Sequence, residues 1–274
     1  MQCGTRRELL TLGEETDAGE KRLLLAFNDL LREMDPDVVE GHNIFKFDLD
    51  YLRTRSKRLK VPCAWGRFGM TAEFRNSRMK VAERWIDFSR CDMPGRTVID
   101  TYLLIQLYDI TAREMTAYGL KDAAVYFGIT PESGEGRTYI DGAQIQHAFR
   151  SNREEFLAYL ADDLRETRGL ADVLLPTYFE QARAFPILLQ EAALRGTAGK
   201  VDLLFLEEYY HARASCPEPL APSSPRTMLN AAISVVLGLV LGGVMLVWTL
   251  RERNQAQGIQ RCSPRVLFQP LATT

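Results

Sequence analysis

The chain has 274 residues, 46% hydrophobic and 26% charged, enough for one sizeable core or for one core and a small satellite. Its formal net charge of −2 carries no overall electrostatic signature of nucleic-acid binding, because neutralising phosphates calls for clustered Lys and Arg; local stretches such as Arg53 to Lys60 (RTRSKRLK) must carry that argument, and they read as readily as a solvated helix face. The five cysteines, Cys3, Cys63, Cys91, Cys216 and Cys262, are odd in number and scattered, which points to free thiols in a reducing compartment and away from a disulfide framework or a zinc site.

The N-terminus does not read as a signal peptide, since Arg6 and Arg7 are followed by only Leu9-Leu10-Thr11-Leu12 before Gly13 and the acidic run Glu14-Glu15-Thr16-Asp17. Residues 2 to 12 read as one or two short strands ending in a turn at Gly13. From Ala18 to Met34 the apolar residues Leu23, Leu24, Phe27, Leu30, Leu31 and Met34 recur at three and four, the pattern of an amphipathic helix, which Asp35-Pro36-Asp37 stops. Val38-Val39 starts a short buried strand running into Gly41 and Asn43, and Phe47 to Leu59 restarts helically. Asp48 therefore falls at a strand-to-helix junction, the sheet end at which open α/β folds bind ligands.

Residues 66 to 99 alternate apolar and polar over short runs and predict a β-rich insertion followed by a strand that Asp100 closes. A helix runs from there through Tyr108, another spans Leu120 to Phe127 and halts at Gly128, and a loop rich in Gly and Glu (PESGEGRTY) precedes Ile140-Asp141 and a short helix. Residues 153 to 182 predict a long helix on which Tyr159 and Asp163, four apart, share a face while Asp162 is turned away by about 100°. Helical material follows Pro186 as far as Ala212. Cys216 to Pro225 (CPEPLAPSSP) is a linker by composition. Met228 to Leu250 contains no charged residue and as a helix would reach roughly 35 Å, enough to span a bilayer; Gly238 and Gly242 form a G-x-x-x-G pattern within it. The alternative is an apolar run that merely mimics a span. Arg251, Arg253, Arg261 and Arg265 beyond it lean towards a cytoplasmic tail.

Two short patterns carry chemistry. Asn43-Ile44-Phe45-Lys46-Phe47-Asp48 has the form N-x-x-x-F-D, and Tyr159 to Asp163 the form Y-x-x-x-D. Each is weak alone, the first being equally a helix start with Asp48 as N-cap, the second an exposed i, i+4 pair. In their wider setting, from Glu40 to Leu52, with Gly95-Arg96-Thr97-Val98-Ile99-Asp100-Thr101-Tyr102 between them and Leu120 to Ile129 after that, the chain over roughly residues 2 to 215 resembles the 3'-5' exonuclease (proofreading) domain of family B DNA polymerases. The resemblance implies an α/β ribonuclease-H-like exonuclease fold, here lacking its first strand, with a C-terminal helical extension and a candidate transmembrane helix. It divides the chain into residues 1–185, the partial exonuclease domain; 186–215, a helical segment leading towards an absent polymerase palm; 216–227, a linker; 228–250, the candidate span; and 251–274, a basic tail.

What the resemblance implies about the site is specific. Asp48 and Asp163 would be ligands of a pair of Mg²⁺ or Mn²⁺ ions, Tyr159 would place the attacking water, and Asn43 and Phe47 would contact the nucleotide or brace the site; the partner would be the single-stranded 3' end of DNA. Hydrolysis by two metals needs hard oxygen ligands holding the ions about 4 Å apart. The family's first motif, D-x-E, is not found among the first 42 residues, where Asp35-Pro36-Asp37 comes nearest, and no palm carboxylate motif follows residue 215. A sheet without its first strand also has an edge to cover. Asp100 reads as structural, Asp50 as a first-turn carboxylate favourable to the helix dipole, and His42, His147 and His211 as satisfied or surface residues. Gly196 to Lys200 lacks the spacing and the preceding strand of a phosphate loop.

The chain thus resembles the middle of a larger enzyme cut at both ends. The expected explanation is a truncated or frame-shifted reading of a polymerase gene, the competing one a split or decayed protein, with a separate chain supplying the missing strand or the palm. The expected setting is cytoplasmic, with membrane association through 228–250. The alternative function is a catalytically inert, membrane-tethered nucleic-acid-binding or interaction module on the same fold.

Overall fold

Helix α1 (Asp17–Met34) begins where Thr16, in extended backbone, accepts the Gly19 N–H on its hydroxyl at 3.0 Å, which satisfies one of the donors a first helical turn leaves unpaired. Asp17 and Glu20 put negative charge at its positive end. Leu24, Phe27, Leu30 and Leu31 recur at three and four and are buried. The helix ends at Asp35, in the left-handed region, just before Pro36.

The structure is a computed structural model that describes residues 1–185 and 187–215 and the backbone of 265–267. Residues 1–174 and 262–274 form one unit, and 175–261 a second. The first unit is built on a five-stranded sheet in the order β2-β1-β7-β3-β6, where β1 is Gln2–Cys3, β2 Arg6–Arg7, β3 Val38–Gly41, β6 Thr97–Asp100 and β7 Arg265–Leu267. All four β3 residues are buried, the signature of an inner strand covered on both faces. It pairs in parallel with β6, Val38 opposite Thr97 and Gly41 opposite Asp100.

The edge that a missing first strand would leave open is closed. The backbone of β7 runs parallel to β3, Val39 opposite Val266, and antiparallel to β1, Cys3 opposite Val266. This corrects the reading in one respect: a strand comes from within the segment expected to be a basic tail, because an inner strand with unpaired N–H and C=O groups demands a partner. The three residues it brings, Arg265, Val266 and Leu267, include no carboxylate.

The block Gly95 to Tyr102 is a set of structural ties. Arg96, buried, donates to the Pro36 carbonyl at 2.6 Å and to the Trp65 carbonyl at 3.0 Å, and Asp100 caps helix α3 (Thr101–Ala112) by accepting the Tyr102 N–H. The β-rich insertion is a separate antiparallel hairpin of β4 (Glu73–Val81) and β5 (Arg84–Asp92), turning at Ala82-Glu83 with Ala82 at φ +51°. Helix α2 (Asp48–Leu59) carries the basic stretch. Its Arg53 pairs with Asp50 at 2.7 Å, and Arg55 and Arg58 pair with Glu20 and Asp17 of α1, so these arginines are spent on carboxylates rather than left free for phosphates.

Helix α4 (Leu120–Tyr126) and helix α5 (Ile145–Ser151) precede the long helix α6 (Arg153–Ala184). Gly169 lets α6 approach the chain after α4, since a Cβ there would come within 2.8 Å of Ile129. The second unit contains helix α7 (Leu189–Leu194) and helix α8 (Thr197–His211). In α8 Lys200 donates to Gln181 and is pushed down to about 8 by burial. Among the described residues no helix is long and apolar enough to cross a membrane; the candidate span 228–250 and the linker 216–227 lie outside the described residues. Cys3, Cys63 and Cys91 are free thiols.

Candidate active site

The strand-to-helix junction is held by a carboxylate on the neighbouring strand. At its start Gly41 faces Ile44 so closely that a Cβ would come within 2.7 Å of it, and Asn43 takes the left-handed conformation at φ +64°, which Asn tolerates better than most residues. Asp100 reaches across from β6 and accepts the backbone N–H of Asn43 at 2.7 Å and of Phe45 at 3.3 Å, besides that of Tyr102 at 3.0 Å. Burial pushes its carboxyl up to about 7 against the pull of those donors. The ring of His42 packs edge-on against Tyr102. Its Nε2 lies 3.0 Å from the Tyr118 carbonyl and its Nδ1 3.0 Å from the Thr101 hydroxyl. A carbonyl can only accept, so the ring carries a proton on Nε2; Nδ1 and the Gly41 carbonyl, 3.2 Å from the Thr101 hydroxyl, compete for the one proton of that hydroxyl. Burial holds the ring down to about 4.

Asp48 is therefore delivered to a fixed place. Phe47, not Asp48, occupies the cap position of α2, and it makes no side-chain capping bond. Asp48 is 2% exposed, its Oδ1 has no hydrogen-bond partner, and burial, followed by the charge of Asp100, raises its carboxyl well above the usual carboxylate range. It borders a cavity of about 660 Å³ lined mainly by apolar side chains, among them Leu23 and Phe27 of α1 and Leu160 and Leu164 of α6. Phe47 is half-exposed and Asn43 half-buried.

The other half of the expected site lies on α6. Tyr159 hydrogen-bonds to Asp163, as the four-residue spacing allows, and burial raises the phenol to about 12. Asp163 is not turned to the cavity that Asp48 borders. Neither it nor Tyr159 lines that space. Instead its Oδ1 lies 2.6 Å from Nη2 of Arg137, whose Nε also donates to Glu166 at 2.6 Å. Nη2 of Arg137 donates to the second Glu166 oxygen at 2.8 Å, and the Thr130 hydroxyl donates to Glu166 at 2.7 Å. The Arg137 side chain is wholly enclosed. Burial raises Asp163 to about 6, with the Arg137 charge opposing that rise. Above this triad lie two tyrosine rings, Tyr139 and Tyr159, each with Arg137 and Lys121 over its face at between 4.8 and 5.7 Å from the ring centre.

The structure thus joins Tyr159 to Asp163 and places Asp48 with Asp100. Among the described residues no three His, Cys, Asp or Glu side chains stand close enough to hold a metal ion. A metal pair needs several hard oxygens free to bind. Here Asp163 is answered by a guanidinium, Asp100 by backbone amides, and β7 adds no carboxylate, so these residues do not fit a two-metal centre. Sequence reasoning missed Arg137, Glu166, Thr130 and Lys121. Glu166 could have been found, since Tyr159, Asp163 and Glu166 follow the four-and-three spacing of one helix face. Arg137 sits in the Gly- and Glu-rich loop and carried no periodic signal.

Residues 15–122 match the family described as DNA polymerase family B, exonuclease domain. The chain is similar to a DNA polymerase of Archaeoglobus fulgidus, 27% identical over 203 residues, which is 73% of this chain and 23% of that protein. It is also similar to the DNA polymerase delta catalytic subunit of Glycine max, 27% identical over 192 residues, 66% of this chain and 17% of that one. Among solved structures it resembles the family B DNA polymerase of the hyperthermophilic archaeon Pyrobaculum calidifontis, with a TM-score of 0.58, 27% identity, and coverage of 74% of this chain and 25% of that chain. The chain therefore spans a quarter or less of the length of these relatives.

Proposed function

We propose, because residues 15–122 match the exonuclease domain of the family B DNA polymerases, that this chain binds the single-stranded 3' end of DNA and that its own residues leave the Mg²⁺- or Mn²⁺-dependent hydrolytic centre incomplete. Exonuclease domains of this family generally use divalent metals. The observation that carries the second half of the reading is the Asp163–Arg137 pair: the carboxylate that would face a metal already has a buried cation on it. Asp48 supports the first half, as a buried carboxyl with an unpartnered oxygen at the edge of a cavity beside the half-exposed Phe47. In this reading Asp100 positions the 43–45 turn, Tyr159 and Asp163 form a separate cluster outside the cavity that Asp48 borders, and the helical segment 186–215 leads towards the polymerase part of the longer relatives.

The test is anisotropy of a 5'-labelled oligothymidylate and of a duplex of equal length, each titrated with the full chain in EDTA and again in Mg²⁺. The reading requires preference for the single strand, unchanged by the metal. Equal affinity for duplex and single strand would remove it.

A further inference from the structure

Lys121, in the first turn of α4, is half-buried. Its ammonium lies 5.3 Å from the centre of the Tyr139 ring and 5.4 Å from that of Tyr159, close enough for a cation–π attraction to hold it. The two cations here are not equivalent. Arg137 spends its charge on Asp163 and Glu166, whereas no carboxylate or hydrogen-bond acceptor among the described residues pairs with Lys121. An ammonium ordered by two rings, its charge felt by Asp163 but in direct contact with no carboxylate oxygen, is a preorganised place for a further anion.

The ring beside it is the second observation. Tyr139 is 52% exposed, and it packs closely against Gly134, at φ +68°, where a Cβ would come within 3.1 Å of Cε2 of the ring. A half-exposed ring, with Arg137 over it at 4.8 Å, next to an ammonium in contact with no carboxylate oxygen matches a group that carries a phosphate and an aromatic base a few ångströms apart. We propose that Lys121 and Tyr139 form a nucleotide-holding subsite, Lys121 on a backbone phosphate and Tyr139 against a base, at the mouth of the Tyr159–Asp163 cluster. The proposal rests on the single-strand-binding reading above and assigns residues to it that neither motif contains. The competing role for Lys121 is purely internal, offsetting the surplus negative charge of Asp163 and Glu166, a charge to which Asp163 responds.

Salt dependence separates the two roles. Each phosphate contact on a single strand contributes a slope of about −0.7 to the plot of log affinity against log salt. With the full chain and a labelled oligothymidylate, K121Q should cut the magnitude of the slope by about 0.7, and K121R should restore it. Y139A should weaken binding roughly tenfold with the slope unchanged, as loss of one stacked base does. A slope in K121Q equal to that of the unmodified chain, even with lowered stability, assigns Lys121 to the internal role and overturns the proposal. The second measurement uses thymidine 5'-monophosphate as the probe and the ¹³C-dimethylated chain, with the Lys121 resonance identified by its loss in K121R. If the chain shows no affinity for the oligonucleotide, the single-strand reading fails; a saturable shift of that resonance would still support the nucleotide subsite, and no shift would remove it as well.

Discussion

Asp163 and Arg137 meet at 2.6 Å inside the domain, with the arginine side chain wholly enclosed and shared with Glu166. Two buried carboxylates on successive turns of one helix would repel each other and resist ionisation. A single guanidinium between them removes the conflict, because its planar fork donates along two edges at once.

Arg137→Met should therefore be costly, since it leaves Asp163 and Glu166 buried without a counter-charge. The expected loss is about 3–5 kcal/mol at pH 7.5, read from urea unfolding. It should shrink at pH 5, where the orphaned carboxyls take up protons. A loss under about 1 kcal/mol at pH 7.5 would mean that water already compensates these groups.

Asp100→Ala strips the acceptor from three backbone N–H groups, those of Asn43, Phe45 and Tyr102. Leaving them unsatisfied should cost about 3 kcal/mol. Asp100→Asn, which keeps one oxygen, should lose less. Equal losses in the two variants would show that the turn is held by something other than this side chain.

His42 makes stability depend on pH in a definite direction. Its folded value is about 4 against an ordinary 6.5, so the unfolded chain binds more protons between these limits and stability through this group rises with pH from 4 to 6.5. The contribution is roughly 3 kcal/mol at pH 7, and it is lost progressively as pH falls from 6.5 through the folded value. Asp100 and Asp163, raised to about 7 and about 6, work the other way: folding binds protons on them, and stability through them declines as pH rises from about 4 through those values. The His42 share is isolated by subtracting the profile of His42→Gln from that of the unmodified chain. A difference that stays flat between pH 4 and 6.5 would show that the ring is solvated.

How legible this was depended on the period of the signal. The spacing of Leu24, Phe27, Leu30 and Leu31 gave away α1, and the run Val38-Val39 before Gly41 gave away an inner strand, because burial on one face or on both leaves its mark on consecutive residues. Asp100 was readable as structural, at a strand end opening a helix. The closure of the sheet by Arg265–Leu267 was not readable. A three-residue strand has no period, and the demand for it lies on β3, far away in the chain. Arg137 was hidden for a related reason: a buried ion pair between a loop and a helix is specified by tertiary placement, and a lone arginine among glycines and glutamates looks like any solvated loop residue. The two half-motifs pointed to Asp48 and Asp163, but sequence spacing could not tell that a guanidinium would meet Asp163.

The central claim, that these residues do not complete a two-metal centre, is tested most directly by the shortening of 5'-labelled single-stranded DNA by the full chain in Mg²⁺, with Mn²⁺ as a second arm. The account predicts digestion from the 3' end at least ~10³-fold slower than by an intact family member, a deficit of about 4 kcal/mol in transition-state stabilisation, with no further change in Asp163→Ala. Brisk Mg²⁺-dependent digestion that disappears in Asp163→Ala would contradict it, and would mean that Arg137 releases Asp163 to a metal once DNA is bound.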